Sequence, residues 1–419
     1  MADLTSKIKL LIQSQDGANQ DAKLFPILPI PATVGDALTC SRALNTATRV
    51  NSAGLIETVA ANMPRITWER GVDQCPNLLV EKSRANLFPY SEDFTNASWG
   101  KIGGATVTAN QIISPDGTLN ADMITEGTSV LVYYSALLPA GTYTQSYYAK
   151  KGTSDIFGMY FGGSFTASFN LTLGTIISQN NTFAQIQDVG NGWFRCTATA
   201  TIGTDFYGGI NINTADGSTF YVWGADIKTG SLLTSYIPTG AVAVTANADN
   251  ISKTGIGTLL AGAKGLFVDC YLQAGSLAGE NVNRRVVSLS TGGGSNAIAI
   301  GRYEGIIRVI ANNSGIDITD ILITTPFKNK RIKVFVAFDI VANTLKMYVN
   351  GALVKSLTSF TAYTPSTVID VGGFNGVNQW DGLIKAVAVT DEFTEADIEQ
   401  ISSYPSFANM AEQMMYEMV

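Results

Sequence analysis

The chain contains no histidine among its 419 residues, and this removes the commonest catalytic chemistries. Ser-His-Asp and Cys-His triads need an imidazole to move a proton, and many zinc sites need one as a ligand. Two carboxylates could still cleave a glycosidic bond. The nearest acidic cluster, at 395–399, falls in a helical pattern near the C-terminus. The glycine-rich run 291–296 lacks the Lys-Ser/Thr of a phosphate-binding loop. We therefore expect a protein that is not an enzyme.

Binding is the chemistry that the remaining residues could support. Carbohydrates are held by exposed aromatic rings that stack on a sugar face, together with planar amide or carboxylate groups. Two Tyr-Tyr pairs occur, and strand alternation puts one ring of each pair outside the core. Those exposed rings are equally compatible with ordinary surface or with an interface contact. The carbohydrate-binding candidates are Tyr134, Tyr148, Trp380, Asn375 and Asn378.

Calcium is the one cofactor that the sequence brings into consideration, because loop carboxylates, amides and carbonyls are its usual ligands. Asp370 and Asp381 flank Asn375 and Asn378 in one short stretch. That stretch lacks the dense Asp-x-Asp pattern of a strong site, so a solvated loop is favoured. We expect no cofactor and keep Asp370 and Asp381 as weak calcium candidates.

The composition argues against several classes of protein. Charged residues make up 15% of the chain, against about a quarter in an average protein, and the net charge is -7. One basic cluster occurs, at 328–333, so nucleic acid is not an expected partner. We find no secretory signal and no stretch of about 20 apolar residues that could span a membrane. The four cysteines show no C-x-x-C pair, which favours buried free thiols.

An N-terminal region is predicted to differ from the rest. Residues 3–15 place apolar side chains at intervals of three and four, which predicts a short amphipathic helix. A proline-rich segment at 24–36 must be extended. Docking of this segment on another subunit and packing on its own domain are equally compatible with the sequence. We assign residues 1–78 to an attachment region.

Two β-sandwiches are predicted to follow. From 79 to 250, short alternating runs are separated by Gly and Asn turns, as is typical of a sandwich. From 251 to 392, residues 332–338 alternate cleanly, and Asn350-Gly351 is a strong hairpin signal. The predicted fold is therefore all-β, with two jelly-roll sandwiches after the attachment region.

A C-terminal helical segment is predicted over 393–419. Thr394 is placed to cap a short helix, with Asp397 three residues further on. The methionines at its far end suit either packing between subunits or, as we favour, packing on the sandwich edge.

Two blocks resemble a module that is common in tail, fibre and other virion proteins of bacteriophages. They are ATRVN at 47–51 with GLIE at 54–57 and AANMPR at 60–65, and then LLVEKSRANL at 78–87. The first reads as alternating strands around a turn at 51–54. The resemblance implies a place in the virion, assembled in the host cytoplasm beside capsid or tail proteins, and it implies no chemistry.

Both sandwiches resemble carbohydrate-binding folds. Residues 86–99 and 223–239 are similar to carbohydrate-binding-module-like jelly rolls of phage fibres and adhesins. Residues 335–401 resemble the concanavalin A-like lectin and laminin-G-like sandwich. Glucanases of that fold carry Glu-x-Asp-x-x-Glu on one strand, whereas the cluster at 395–399 has a different spacing.

These observations favour a virion structural protein, either a fibre or appendage subunit or a capsid-decoration subunit. It would attach through its N-terminal region and project two sandwiches, with host-surface glycans as a further partner. Fibres and decorations form closed symmetric oligomers, and a trimer is favoured. The alternatives are a tail receptor-binding lectin and, less favoured, a polysaccharide depolymerase.

Overall fold

The computed structural model describes residues 8–13, 26–27, 38–69, 76–128, 130–212, 217–272, 283–293, 297–303, 306–311, 314–322, 330–358 and 366–403. These residues form an all-β protein with two short helices, as the sequence predicts.

The strands and helices fall into three consecutive stretches of the chain. The first 86 residues contribute β1 (Ile8–Gln13), β2 (Pro26–Ile27), β3 (Thr39–Ser41), β4 (Thr48–Val50), β5 (Ile56–Thr58), β6 (Arg65–Thr67), β7 (Asn77–Val80) and β8 (Arg84–Asn86). The next stretch contributes β9 (Trp99–Ile102), β10 (Thr106–Ile113), β11 (Leu119–Thr125), β12 (Val130–Tyr134), β13 (Gly141–Lys151), β14 (Ile156–Tyr160), β15 (Thr166–Asn170), β16 (Thr175–Asn180), β17 (Phe183–Gly190), β18 (Trp193–Ile202), β19 (Gly209–Ile212), β20 (Thr219–Thr229) and β21 (Val244–Ala246). The last stretch contributes β22 (Asn250–Thr254), α1 (Gly257–Leu260), β23 (Gly265–Leu272), β24 (Asn283–Ser290), β25 (Ala297–Tyr303), β26 (Ile306–Ala311), β27 (Ser314–Leu322), β28 (Lys330–Asp339), β29 (Thr344–Val349), β30 (Ala352–Leu357), β31 (Val368–Val371), β32 (Gly382–Thr390) and α2 (Glu395–Ser403).

The first sandwich packs two six-stranded antiparallel sheets. Sheet I has the order β10-β11-β20-β13-β18-β17, and sheet II has the order β16-β15-β14-β19-β12-β9. Aromatic side chains fill the space between the sheets, because each ring removes a large apolar area from water. Phe94 and Trp99 close one end, with ring centroids 4.8 Å apart, and Tyr147 lies fully buried beside them.

The second sandwich packs a nine-stranded sheet against a seven-stranded one. Sheet III has the order β2-β1-β32-β23-β28-β29-β30, with β7 also pairing with β32 and β6 pairing with β7. Sheet IV has the order β27-β26-β25-β24-β31-β22-β3. Aliphatic residues dominate this core, and the predicted alternation at 332–338 is confirmed because Ile332, Val334, Val336 and Phe338 all face it.

The prediction of a helix over residues 3–15 is wrong. Residues Ile8–Gln13 form strand β1, which pairs antiparallel with β32 from Ile8↔Thr390 to Gln13↔Ala386. An edge strand of sheet III offers unpaired backbone groups along its whole length, and pairing satisfies them. That long-range gain outweighs the weak local preference for a short helix over residues 3–15.

The predicted separation of an attachment region at 1–78 also differs from the structure. Strands β6 and β7 extend sheet III, and β3 pairs with β22 at the edge of sheet IV. Strand β8 pairs with β21 at the end of the first sandwich sequence. Residues 38–86 are therefore structural parts of both sandwiches.

Several short-range predictions are confirmed. The turn at 51–54 joins β4 to β5, and Asn350-Gly351 joins β29 to β30 with positive φ values of 48° and 86°. Helix α2 begins after Thr394, whose backbone N–H donates to Asp397 at 2.7 Å while the Asp397 N–H donates back to the Thr394 hydroxyl. Cys40, Cys196 and Cys270 are buried free thiols. Cys75, the segment 28–37 and the methionine-rich end at 404–419 lie outside the described residues.

A buried ionic network lies where the two sandwiches meet. Asp249, which leads into β22, accepts hydrogen bonds from the guanidinium groups of Arg42 and Arg65, with 2.9 Å for the Arg42 pair. Arg65 also bonds Glu81 at 2.9 Å. The four residues expose at most 4% of their surface. Burial raises the pKa of Glu81, but Arg65 and hydrogen bonds from Ser235 outweigh it, so the pKa lies below its usual value.

Ser235 connects this network to the first sandwich. Its backbone N–H and its hydroxyl donate to Glu81 at 2.8 and 2.7 Å, and its hydroxyl accepts from Arg65 at 2.8 Å. Its carbonyl accepts from Lys228 of β20. A charged group buried with good geometry is held firmly, because moving it would leave its partners unpaired in a low-dielectric interior. The network therefore fixes the first sandwich against the second.

We predict that Asp249→Asn destabilises the whole chain by about 3 kcal/mol, because two buried guanidinium groups lose their shared counter-charge. Urea unfolding followed by circular dichroism measures this loss. Lys264→Ala is the matched control, since it removes ion pairs to Glu392 at 2.9 Å and to Asp339 at 3.3 Å on the surface and should change stability far less. Equal effects of the two substitutions would contradict the assigned role of the network.

Lys333 sits under the C-terminal end of α2. Its ammonium donates to the Ser402 carbonyl at 2.9 Å, where the helix dipole favours a positive charge. Burial lowers the pKa of Lys333 from 10.5 to about 8, with Arg331 and Lys385 adding to the effect and Asp269 opposing it. At pH values between about 8 and 10.5, the unfolded chain therefore binds more protons than the folded one.

It follows that the Lys333 contribution to stability rises as the pH increases from 8 to 10.5, because folding no longer has to bury the charge. Across this pH window, we expect the free energy of unfolding of the wild type to increase relative to that of Lys333→Met. Urea titrations at several pH values check the difference, in which groups common to both proteins cancel. A constant difference would show that Lys333 titrates normally.

Candidate functional site

The structure places Trp380 in the core, so the prediction that it stacks on a sugar is wrong. Its side chain is 1% exposed, and its indole N–H donates to the Tyr271 carbonyl at 3.3 Å. The Arg302 guanidinium lies 5.6 Å from its ring centroid. No face of this ring reaches the surface.

Asn375 and Asn378 shape the loop between β31 and β32. Both have positive φ, 45° and 58°, a conformation that asparagine tolerates better than most residues. Asn378 accepts a hydrogen bond from the Arg285 N–H at 2.9 Å through its carbonyl. Asn375 is exposed, but the ring predicted to work beside it is not. The loop therefore lacks the aromatic half of a sugar site.

The two calcium candidates have different surroundings. Asp381 is fully buried, forms an ion pair with Arg284, and accepts the Lys82 N–H at 2.6 Å. Its two oxygens are thus engaged, and the guanidinium takes the position that a cation would need. Asp370 accepts the Asn375 N–H at 3.3 Å, and burial raises the pKa of its carboxyl group.

The two tyrosine candidates of the first sandwich are largely covered. Tyr134 packs against the core, with its ring 5.8 Å from that of Phe88. Tyr148 points to the outer side of sheet I, as alternation requires, yet it is only 4% exposed. Trp223 and Tyr236 contact its ring, and burial raises the pKa of Tyr148 to about 12.

The other member of the first pair, Tyr133, does face outward, on sheet II. It pairs with Gly100 of β9 and with Gly209 of β19, and Gly209 pairs in turn with Tyr160 of β14. Residues paired across antiparallel strands share a face, so these positions form one row. The neighbours Val132, Met159 and Ile210 point the other way and are buried in the core.

Glycine on both sides lets the Tyr133 ring lie along the sheet. A Cβ atom at position 100 would fall 2.6 Å from Cζ of Tyr133, so the ring rests directly on the backbone of β9. The Tyr207 ring, 39% exposed, meets the Tyr133 ring edge-on with centroids 5.3 Å apart. We call the surface formed by Gly100, Tyr133, Tyr160, Tyr207, Gly209 and Asn211 the tyrosine face.

The tyrosine face combines flat aromatic surface with polar groups. Tyr133 and Tyr160 are two strands apart, which separates their Cα atoms by about 10 Å. Asn211 is exposed on the same side of β19 and adds an amide donor and acceptor. Rings at this spacing can contact successive units of one extended chain, while the amide and phenol groups hydrogen-bond its hydroxyls.

Sequence reasoning missed Tyr160, Tyr207 and Asn211 and chose the wrong member of the pair at 133–134. Alternation shows that one ring points outward without showing which one, because the position of the core is a tertiary property. The signal that could have decided it is Gly100 and Gly209, but their pairing with Tyr133 depends on a register that the sequence does not state.

Within the described ranges, no three His, Cys, Asp or Glu side chains come close enough to hold a metal ion. Neither described helix has the length and apolar character needed to cross a membrane.

Comparison with known proteins gives likenesses of fold only. No protein-family model matches the chain, and no curated protein matches it. The CBM40 module of the Ruminococcus gnavus IT-sialidase, solved with α2,3-sialyllactose, is 15% identical, and the likeness covers 35% of this chain and 86% of that one with a TM-score of 0.27.

Two further solved structures show likenesses that are equally weak. The SAP-like pentraxin of Limulus polyphemus is 10% identical over 35% of this chain and 71% of its own, with a TM-score of 0.26. The NanB sialidase of Streptococcus pneumoniae is 18% identical over 36% of this chain and 26% of its own, with a TM-score of 0.28. Likenesses of this size leave function to be argued from the side chains of this chain.

Proposed function

We propose that the protein is a non-enzymatic structural protein that binds glycans through the tyrosine face. The observation that carries the proposal is the row Gly100–Tyr133–Gly209–Tyr160, in which glycines let the half-buried ring of Tyr133 lie flat on the outer side of the sheet. Aromatic rings with a polar end suit ligands that are apolar on one face and hydroxylated at the edge. Oligosaccharides have this character.

The non-enzymatic part of the proposal is supported by how the buried carboxylates are used. Asp249 and Glu81 are paired with arginines, Asp381 with Arg284, and Asp226 with Lys228 at 2.6 Å. A glycosidase needs two carboxyl groups that flank an open cleft. These four groups are engaged in buried ion pairs instead.

The place of the protein in a bacteriophage virion belongs to the same proposal, and it is supported by the resemblance of residues 47–65 and 78–87 to virion modules. The structure gives these residues a mechanical role, because Arg65 and Glu81 fix one sandwich against the other. A rigid pair of sandwiches suits a fibre, appendage or decoration that contacts capsid or tail proteins. We also propose that the protein is a trimer, that it needs no cofactor and that it is assembled in the host cytoplasm.

Light scattering on the full-length protein tests the assembly state. We expect three times the mass of one 44.5 kDa chain, because projecting virion proteins form closed rings. A stable monomer at micromolar concentration would remove the trimer from the proposal and leave the neighbouring virion proteins to supply the contacts.

A glycan array read at millimolar sensitivity tests the binding role. We expect Tyr133→Ala to weaken the best glycan about tenfold, which corresponds to about 1.4 kcal/mol of lost ring contact. Gly100→Ala should weaken it as well without removing any contact group, because the new methyl group displaces the Tyr133 ring.

The matched control is Val341→Ala, which shortens an apolar side chain that is 90% exposed in the second sandwich and should leave binding unchanged. Glycan binding that survives both Tyr133→Ala and Gly100→Ala would place the site elsewhere. A wild-type protein that binds no glycan would refute the binding role.

A further inference from the structure

A cavity of about 300 Å³ lies on the opposite side of the first sandwich from the tyrosine face. The β4–β5 hairpin and the segment Thr67–Glu69 form one wall, and the outer side of sheet I forms the other. The hairpin is anchored there by the Ile56 N–H, which donates to the Pro115 carbonyl at 3.0 Å. The cavity is thus built from segments far apart in the sequence.

One wall of this cavity contains Trp68, and this residue differs from the other tryptophans. The chain has five tryptophans, and Trp99, Trp193, Trp223 and Trp380 expose at most 2% of their surface. Trp68 is half-buried and lines the cavity. Part of the indole packs against the core of the second sandwich, and the part that lines the cavity offers apolar surface to a ligand.

Planar charged groups line the same cavity as the indole. Arg195 is 6% exposed, and its Nε and Nη2 bond the Ser146 hydroxyl and the Thr234 carbonyl, which fixes the plane of the guanidinium. Arg49 lines the cavity from the hairpin and is held by Glu57 at 2.7 Å. Two fixed guanidinium planes therefore face the same space.

The remaining polar lining completes a set of planar hydrogen-bonding groups. Glu69, Gln187 and Asn191 also border the cavity. Carboxylate, amide and guanidinium groups each present two adjacent polar atoms, a spacing that matches two neighbouring hydroxyl groups on one ring. The volume lies at the lower end for small-molecule sites, so the ligand is small.

We infer that this cavity is a second carbohydrate site, which binds a single sugar unit against Trp68. It deepens the proposed function and uses none of the residues of the tyrosine face. The ring of the sugar covers the indole, and its hydroxyls contact the guanidinium and amide groups opposite. The two surfaces lie on different sheets, so one chain can hold an extended glycan and a single sugar independently.

Quenching of tryptophan fluorescence by acrylamide tests the inference, because Trp68 alone among the tryptophans is accessible to the quencher. The probes are free glucose, galactose, N-acetylglucosamine and rhamnose at millimolar concentration. We expect at least one of them to protect Trp68 from acrylamide in a saturable way. At a sugar concentration equal to its Kd, half of the emission that acrylamide could quench should be protected. Trp68→Phe should abolish the quenchable emission and so confirm its source.

Ala53→Phe is the blocking variant, since Ala53 is an exposed turn residue that lines the cavity and a larger side chain there fills it. It should remove the protection while leaving the glycan-array result for the tyrosine face unchanged. Tyr133→Ala should do the reverse. Quenching that no sugar changes, or protection that persists in Ala53→Phe, would overturn the second site without affecting the first.

Discussion

The Asp249 carboxylate between Arg42 and Arg65 is the interaction on which the arrangement of this protein depends. Three charges buried in one place are costly unless each finds its counterpart, and Glu81 and Ser235 complete the set. The partners come from positions 42, 65, 81, 235 and 249, so the network can form only when both sandwiches and the N-terminal strands are in place. The junction is therefore a product of the whole fold rather than of any one segment.

This dependence explains why the N-terminal strands cannot be a detachable region. Strands β6 and β7 continue sheet III, and they deliver Arg65 and Glu81 to the junction on the way. The same chain segment contributes the β4–β5 hairpin, whose Ile56 packs in one cluster with Tyr148 on the outer side of sheet I. Removing it would expose an apolar face of the first sandwich and an unpaired edge of the second.

The sequence was most informative where structure is set by neighbouring residues. The Asn350-Gly351 turn, the Thr394 cap and the alternation at 332–338 each follow from local geometry, and all are present. It was least informative where a distant partner decides. Ile8–Gln13 has helical spacing but pairs with β32, and Trp380 belongs to a polar loop sequence but fills a core. Register between strands, which places Tyr133 between two glycines, has no local signal.

The same physics that buries most aromatic rings shows which ones the fold leaves uncovered. Both sheets of the first sandwich have an outer side, and the hairpin covers part of the outer side of sheet I, where it leaves the cavity at Trp68. On sheet II, Tyr207 is exposed and Tyr133 is half-buried, with its ring edge-on to that of Tyr207. An exposed ring costs hydrophobic stabilisation that the fold could otherwise have gained. Glycines on either side of Tyr133 add to that cost by giving up side-chain packing of their own, and this cost supports the proposal that the tyrosine face binds a ligand.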